Sequence, residues 1–403
     1  MPPQRDINLL DVHDFYWSSP SITLAGIGVA KRIQVPNLKN ISNEMDQFSE
    51  ITLVNNDGDA ASRSEELCGF AAFPFDPNSG TDVIIPSILI KKYASGKTYI
   101  LYTGHDMRTE EDIFEQIFQN KRPEGDQSPT HVQIDYPIPP DTWRDEKVNT
   151  IKDYIKAGDV KKVVLARELV LAAKQDFQIN EVLQKLQKQN QSSLIFNIDG
   201  FLGASPELLI KREGNTIMSH PLAGTTQKYD DLKQDQDSKQ KLLESTKDAY
   251  EHKVTIDWLL NELLPFCSFV DADPEPKIIS LRHVHHLGTE VSGQLSNPPC
   301  SILELVSSLH PTPAVGGDPQ KEALAIIKEV EGINRQHYAG PVGWVSANGD
   351  GEFAVGIRSA EVTSNRAHLF AGVGLVEDSD PQSELEETEA KFKTMLNTFL
   401  STP

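Results

Sequence analysis

The first third of the chain alternates between short apolar runs and polar turns. Segments such as SITLAGIGVAKRI, CGFAAFPF and TYILYT are separated by turns rich in Asn, Asp, Ser and Gly, a pattern that predicts short β-strands. A polar, proline-rich stretch follows, and over residues 126–141 it indicates a linker or surface loop. The pattern therefore divides the chain into a strand-rich N-terminal lobe, residues 1–125, and a larger region, residues 142–403.

The larger region combines the periodicities of strands and helices. Segments such as KVVLARELVL, SSLIFNID and RAHLFAGVGLV predict strands, and NGDG supplies the tight turn of a hairpin. Residues 228–264, the segment PQKEALAIIKEVEGI and the residues after Pro381 predict helices, because they are charged or amphipathic and almost free of Gly and Pro. Antiparallel strands flanked by helices predict an α+β fold of two lobes in one integrated domain, with sheets inside and helices outside.

Charge and cysteine content narrow the class of protein. The 403 residues carry a formal net charge of −21, which argues against binding to nucleic acid or to an anionic membrane surface. A small anionic substrate would need a local cation. The three cysteines, Cys68, Cys267 and Cys300, are widely spaced and predict neither disulfides nor a cysteine zinc site. Without a signal-peptide pattern or a long apolar run, we expect a cytoplasmic protein with no membrane span.

Two predicted helices each carry a pair of carboxylates on one face. Asp248 and Glu251 are three residues apart, as are Glu384 and Glu387, and Lys391 continues the second stripe. Carboxylates that converge from two helices could bind a divalent cation such as Mg²⁺, since without a cation they would repel one another. The alternative for the second stripe is an ordinary solvated face with a Glu–Lys pair.

The segment RHVHHLGTE holds three histidines. On a strand His283 and His285 share one face, while His286 points to the other. No third ligand for a zinc site is evident, so one inward and two surface histidines are the simpler interpretation. The sequence contains no common nucleotide-binding fingerprint and no serine nucleophile elbow.

Eight short blocks follow one another in the larger region of the chain. They are GASPELLI, PLAGTT, KDAYEH, LHPTPAVGG, YAGPVGW, GDGEFAVGIRSA, FAGVGLV and ELEETEAKFKTML. Their order resembles that of the chorismate-utilising enzymes, and among these the isochorismate synthases. The resemblance extends from about residue 162 to residue 396, whereas the N-terminal third is similar only loosely.

The resemblance implies a magnesium site and a chorismate pocket. Glu251 and Glu387 match the family's Mg²⁺ carboxylates, with Asp248 and Glu384 beside them, and Lys391 matches a contact to a substrate carboxylate. The other positions that match the pocket are Gly224, Thr225, His286, Ala314, Tyr338, Arg358, Gly372 and Gly374.

The implied reaction adds water at C2 of chorismate while the C4 hydroxyl leaves, which requires a base and an acid. In this resemblance Lys162 is the base and Glu207 the acid, while Tyr338 and Arg358 grip the enolpyruvyl carboxylate. Lys162 must then be partly neutral and Glu207 protonated near pH 7. Since contact between them would stabilise the charged form of each, we expect them to face each other across the substrate.

Two positions separate this chain from similar enzymes. Ammonia-using anthranilate and aminodeoxychorismate synthases typically lack Lys162 and tend to carry Thr in place of Ala314, so we expect no glutaminase subunit. Salicylate synthases keep the lysine and also eliminate pyruvate; they are the alternative, together with a non-catalytic chorismate-binding relative. We therefore expect a monomeric, Mg²⁺-dependent isochorismate synthase that feeds menaquinone or catechol-siderophore biosynthesis.

Overall fold

A computed structural model describes residues 8–38, 67–104, 108–120 and 131–400 of the chain. Within these residues the strands form three antiparallel sheets of eleven, nine and three strands, and helices pack around them. The α+β fold predicted from the sequence is confirmed. In the same part of the chain, no helix is both long and apolar enough to cross a membrane.

The strands and helices are numbered in chain order. The strands are β1 (Phe15–Ser18), β2 (Ile22–Ile27), β3 (Lys31–Val35), β4 (Cys68–Ala72), β5 (Thr81–Ile85), β6 (Ile88–Tyr93), β7 (Thr98–Tyr102), β8 (Val132–Asp135), β9 (Lys162–Ala173), β10 (Leu194–Ile198), β11 (Phe201–Ser205), β12 (Leu208–Glu213), β13 (Thr216–His220), β14 (Leu222–Gln227), β15 (Cys267–Ala272), β16 (Lys277–Ser280), β17 (Val284–Gly288), β18 (Val291–Leu295), β19 (Gly317–Asp318), β20 (Pro341–Ser346), β21 (Gly351–Val355), β22 (Ser359–Thr363) and β23 (Arg366–Leu375). The helices are α1 (Glu110–Gln119), α2 (Pro140–Thr142), α3 (Val148–Ala157), α4 (Ile179–Gln189), α5 (Leu232–Glu244), α6 (Thr246–Leu263), α7 (Ile302–Leu309), α8 (Gln320–Val330) and α9 (Pro381–Leu400), with a π-helical turn at Trp143–Lys147 and 3-10 turns at Leu9–Asp11 and Leu264–Phe266.

The two large sheets face each other across a shared apolar cluster. The first runs in the order β19-β9-β23-β22-β11-β10-β1-β2-β6-β7, with β8 beside β9, and the second in the order β15-β18-β13-β12-β21-β20-β4-β5-β3. Trp17 and Phe196 of the first sheet and Phe70 and Val342 of the second are buried in one cluster. Both large sheets thus contain strands from the first 125 residues and from the region beyond residue 142.

The segment between the two regions is only partly a loop. Residues 121–130 lie outside the described residues, so that part of the expected linker at 126–141 is not described. Val132–Asp135, however, forms β8, which pairs antiparallel with β9. Three of its four side chains are exposed because β8 lies at an edge of the sheet, which is why its polar sequence resembled a loop.

The long strand β9, near one end of the first sheet, carries the first candidate residue. Its run KVVLARELVLAA is almost entirely buried and pairs with β23 over ten positions, from Val163–Leu375 to Ala172–Arg366. A near-continuous apolar run is expected for a strand covered on both faces. Lys162 begins this strand, where β19 also pairs with it. The third sheet, β14-β17-β16, supplies another wall of the same site.

Candidate active site

A cavity of about 230 Å³ lies between β9, β23, the small sheet and the two acidic helices α6 and α9. Every site residue predicted from the sequence lines it, including residues more than two hundred positions apart. These are Lys162, Glu207, Gly224, Thr225, Asp248, Glu251, His286, Ala314, Tyr338, Arg358, Gly372, Gly374, Glu384, Glu387 and Lys391. Lining residues that sequence reasoning did not assign to the site are Val164, Leu222, Ala223, Val315, Arg335, Ala339, Ile357 and Val373.

Helix α6 brings the first carboxylate pair to the cavity. The Ser245 side chain accepts a hydrogen bond from the Asp248 amide at 3.1 Å, which caps the helix and fixes where it begins. Gly224 of β14 has a φ of +76°, and a Cβ there would lie 3.1 Å from Asp248 Cβ. Glycine at this position therefore allows the left-handed backbone and the close approach of β14 to α6. Asp248 and Glu251 both line the cavity, and both are partly buried.

Helix α9 brings the second pair and a lysine. Lys391 Nζ donates to Glu387 Oε1 at 2.6 Å and to the Gly372 carbonyl at 2.8 Å, which ties the helix to β23. Glu384 is buried one helical turn earlier. The Glu–Lys pair considered as a solvated face therefore exists, but it lines the cavity.

The donor set fits a hard divalent cation. Lys162 Nζ lies 4.0 Å from Glu251 Oε1, so each of the two carboxylates expected to bind metal faces a lysine. No group of three or more His, Cys, Asp or Glu side chains able to hold a metal occurs among the residues that the structure describes. Mg²⁺ is commonly held by one or two protein carboxylates, with water and substrate oxygens completing its shell. Glu251 and Glu387 on opposite helices match that requirement.

Glu207 is a carboxyl group of the cavity whose acidity is altered by burial. Burial raises its pKa from 4.5 to about 7, although the Leu222 amide and the charges of Arg358 and Lys162 act in the opposite direction. A substantial fraction of Glu207 is therefore protonated near neutral pH. Lys162 and Glu207 line the same cavity, yet no ion pair or hydrogen bond joins them in the described part of the chain; Lys162 faces Glu251 instead.

His286 is neutral and holds Arg358 in place. Burial lowers the His286 pKa well below its usual value, and the charges of Arg358 and Lys391 lower it further. Its Nδ1 lies 3.2 Å from the Gly224 carbonyl, which can only accept, so Nδ1 carries the proton. Nε2 is then free to accept from Arg358 Nη2 at 3.3 Å, while Thr225 Oγ1 lies 3.0 Å from Nδ1. The histidine orients the guanidinium.

Arg358 has a strained backbone. Its φ is +52°, in the left-handed region that costs a non-glycine residue on the order of 1–3 kcal/mol. Its carbonyl accepts from the Ala204 amide at 3.0 Å, which helps to hold this conformation. The strained residue lies in the cavity wall, with its buried side chain against His286.

Two glycines of β23 make room for functional side chains. A Cβ at Gly374 would lie 2.6 Å from Lys162 Cε, and a Cβ at Gly372 would lie 3.0 Å from the Tyr338 hydroxyl. Burial raises the Tyr338 pKa to about 12, so the phenol stays protonated and can donate a hydrogen bond. The GVG segment thus sets how far Lys162 and Tyr338 extend along the cavity wall.

The chain matches the family model described as chorismate binding enzyme over residues 6–400. It is 33% identical to the isochorismate synthase MenF of Bacillus subtilis (strain 168), over an alignment that covers 95% of this chain and 87% of the relative. It is also 32% identical to the vibriobactin-specific isochorismate synthase of Vibrio cholerae, with 95% and 90% of the two chains covered.

A solved structure shares the fold. The menaquinone-specific isochorismate synthase MenF from Escherichia coli aligns with a TM-score of 0.81 over 100% of this chain and 93% of that chain, at 24% identity. At this identity the likeness shows the fold alone. The family match over nearly the whole chain shows that the protein belongs to the chorismate binding enzyme family.

Proposed function

We propose that this chorismate binding enzyme is an isochorismate synthase that converts chorismate to isochorismate with Mg²⁺. The observation that carries the proposal is the presence, in one cavity, of Lys162 and of a buried Glu207 with a pKa of about 7, not paired with each other. Relatives with that name align with 95% of the chain. The arrangement suits a reaction that takes a proton on one side of a ring and supplies one on the other.

Cationic side chains in the cavity would bind the two negative charges of chorismate, although the protein has a net charge of −21. Arg358, oriented by His286, and the phenol of Tyr338 would bind the enolpyruvyl carboxylate. Lys391 would bind the second carboxylate of the substrate. Favourable charge is thus local, while the protein as a whole is acidic.

Glu251 and Glu387 would hold Mg²⁺, with Asp248 and Glu384 beside them to bind its waters. When bound, the ion supplies positive charge to the ring carboxylate and offsets repulsion among the acidic side chains. The carboxylates of the two helices α6 and α9 would then be held together across the cavity.

Lys162 and Glu207 would carry the proton transfers. Lys162 takes a proton from the water that attacks C2, the ring double bonds shift, and the C4 hydroxyl takes the proton of Glu207 and leaves as water. One water enters and one leaves, so the product is an isomer of the substrate. Each group is worth roughly 10²–10⁴ in rate. The small side chain of Ala314 leaves space in the cavity wall for the attacking water.

Product analysis tests the proposal. The purified chain is incubated with chorismate, with and without Mg²⁺, and the products are separated by chromatography. We expect isochorismate only with Mg²⁺, and its loss in Lys162→Ala. Lys161→Ala is the matched control, since Lys161 is next in sequence but exposed and paired with Asp318 at 3.4 Å. Salicylate with pyruvate would instead identify a salicylate synthase, and unchanged chorismate a binding protein.

A further inference from the structure

Arg335 lines the cavity but has no role in the proposed chemistry. It is 4% exposed and forms a two-pronged ion pair with Glu331, from Nε to Oε1 at 2.7 Å and from Nη2 to Oε2 at 2.6 Å. Its guanidinium carbon lies 4.0 Å from the centroid of the Phe75 ring. A planar cation held by two oxygens and one aromatic face has a single orientation.

Both side chains of this ion pair also form hydrogen bonds with the backbone around the cavity. Arg335 Nη2 donates to the Val164 carbonyl at 2.7 Å, and Nη1 donates to the Val315 carbonyl at 3.0 Å. Glu331 Oε2 accepts from the Ala166 amide at 2.7 Å. One buried ion pair therefore joins strand β9 to the loop that contains Val315.

The two segments that the ion pair joins contain Lys162 and Ala314. In the proposed reaction the attacking water lies between these two residues. Val164 is two positions after Lys162, so both side chains point to the cavity face of β9. Ala314, the small residue beside the expected water position, directly precedes Val315. Backbone bonds also join these segments: β9 pairs with β19, and the Val164 amide donates to the Gly316 carbonyl at 2.9 Å. Arg335 adds a side-chain link to Val315, which lines the cavity next to Ala314.

We propose that Arg335 is a positioning residue for the hydration step: its pair with Glu331 fixes the separation between Lys162 and Ala314 across which water reaches the substrate ring. This inference rests on the proposed function. A lysine at position 335 would keep the charge but could not hold two carboxylate oxygens and two carbonyls in one plane. A misplacement of about 1 Å in a reacting group can lower the rate about 10²-fold.

The test compares Arg335→Lys with Arg212→Lys. Arg212 is also buried and donates to the backbone carbonyls of Gly214 and Asn348, but it does not line the cavity. For both variants and the wild type, kcat and KM for isochorismate formation, chorismate binding by calorimetry and the melting temperature are measured. We expect both variants to have a lower melting temperature than the wild type. Only Arg335→Lys should have a lower kcat, reduced roughly 10- to 100-fold. Its KM and its affinity for chorismate should remain within about threefold of the wild-type values.

Each other outcome has a definite meaning. A kcat of Arg335→Lys within twofold of wild type overturns the positioning role, and so does a raised KM with unchanged kcat, which would make Arg335 a substrate contact. If Arg335→Lys does not fold, Glu331→Gln, which retains one acceptor for the guanidinium, must show the same selective loss of kcat. Absence of isochorismate from the wild type overturns the proposed function itself, and the role of Arg335 with it.

Discussion

Replacement of Glu207 by Gln should make the protein more stable at alkaline pH and leave its stability nearly unchanged at acid pH. Burial raises the pKa of Glu207 from 4.5 to about 7, which corresponds to roughly 3 kcal/mol between the two protonation states. The unfolded chain releases this proton near pH 4.5, while the folded chain retains it up to about pH 7. The wild type therefore loses stability as pH rises through this window, because the folded state binds more protons.

The glutamine introduced by Glu207→Gln would have no proton to release and nearly the same shape as the protonated acid. The free energy of unfolding of this variant minus that of the wild type should therefore increase with pH and become level above about pH 7.5. Roughly 2 kcal/mol of this increase falls between pH 5.5 and 8. Urea unfolding, followed by fluorescence at four pH values in that range, measures the difference directly.

Glu213→Gln is the control, since the Glu213 side chain is 79% exposed. It should show no comparable change with pH. A difference between Glu207→Gln and wild type that is constant from pH 5.5 to 8, or one that decreases, would refute the conclusion that burial holds Glu207 protonated. Because unfolding needs no substrate, this result does not depend on the proposed reaction.

Three further predictions concern catalysis. Glu207→Gln should lower kcat for isochorismate formation by roughly 10²–10⁴, because glutamine has no proton to give to the leaving hydroxyl; a kcat within about threefold of wild type would exclude Glu207 as the acid. Gly374→Ala places a Cβ 2.6 Å from Lys162 Cε and should lower kcat at least about tenfold, whereas Gly316→Ala, with no neighbour closer than 3.5 Å, should change it little. Glu387→Gln should raise the Mg²⁺ concentration for half-maximal activity by roughly tenfold or more, measured by titration; an unchanged value would remove this carboxylate from the metal site.

The outline of the fold could be predicted from sequence because its signals are local. Period-two runs, the NGDG turn and long glycine-free helices each reflect the burial of a single element. The short edge strand β8 was missed since three of its four side chains are exposed and only its backbone pairing with β9 defines it. Edge strands carry little hydrophobic pattern of their own.

The residues of the candidate site could be predicted only from the resemblance to the chorismate-utilising enzymes, because they are scattered along the chain. No spacing rule connects Lys162, Glu207 and Arg358, and only the fold brings them to one cavity. The Glu331–Arg335 pair had a visible i,i+4 spacing, but on sequence alone such pairs usually lie on solvated helix faces. Its contacts with the carbonyls of β9 and the loop appear only once those segments are placed.

The strand order has a consequence for the biosynthesis of the protein. In the nine-stranded sheet β4 pairs with β20, so Cys68 lies opposite Ser346, and in the other large sheet β1 pairs with β10. When the N-terminal third leaves the ribosome, the strands that complete its sheets have not yet been translated. Folding of both sheets must wait until nearly the whole chain is available, and such long-range pairing is slow. Early apolar strands such as CGFAA, buried in the folded protein, are exposed and prone to aggregation during that interval.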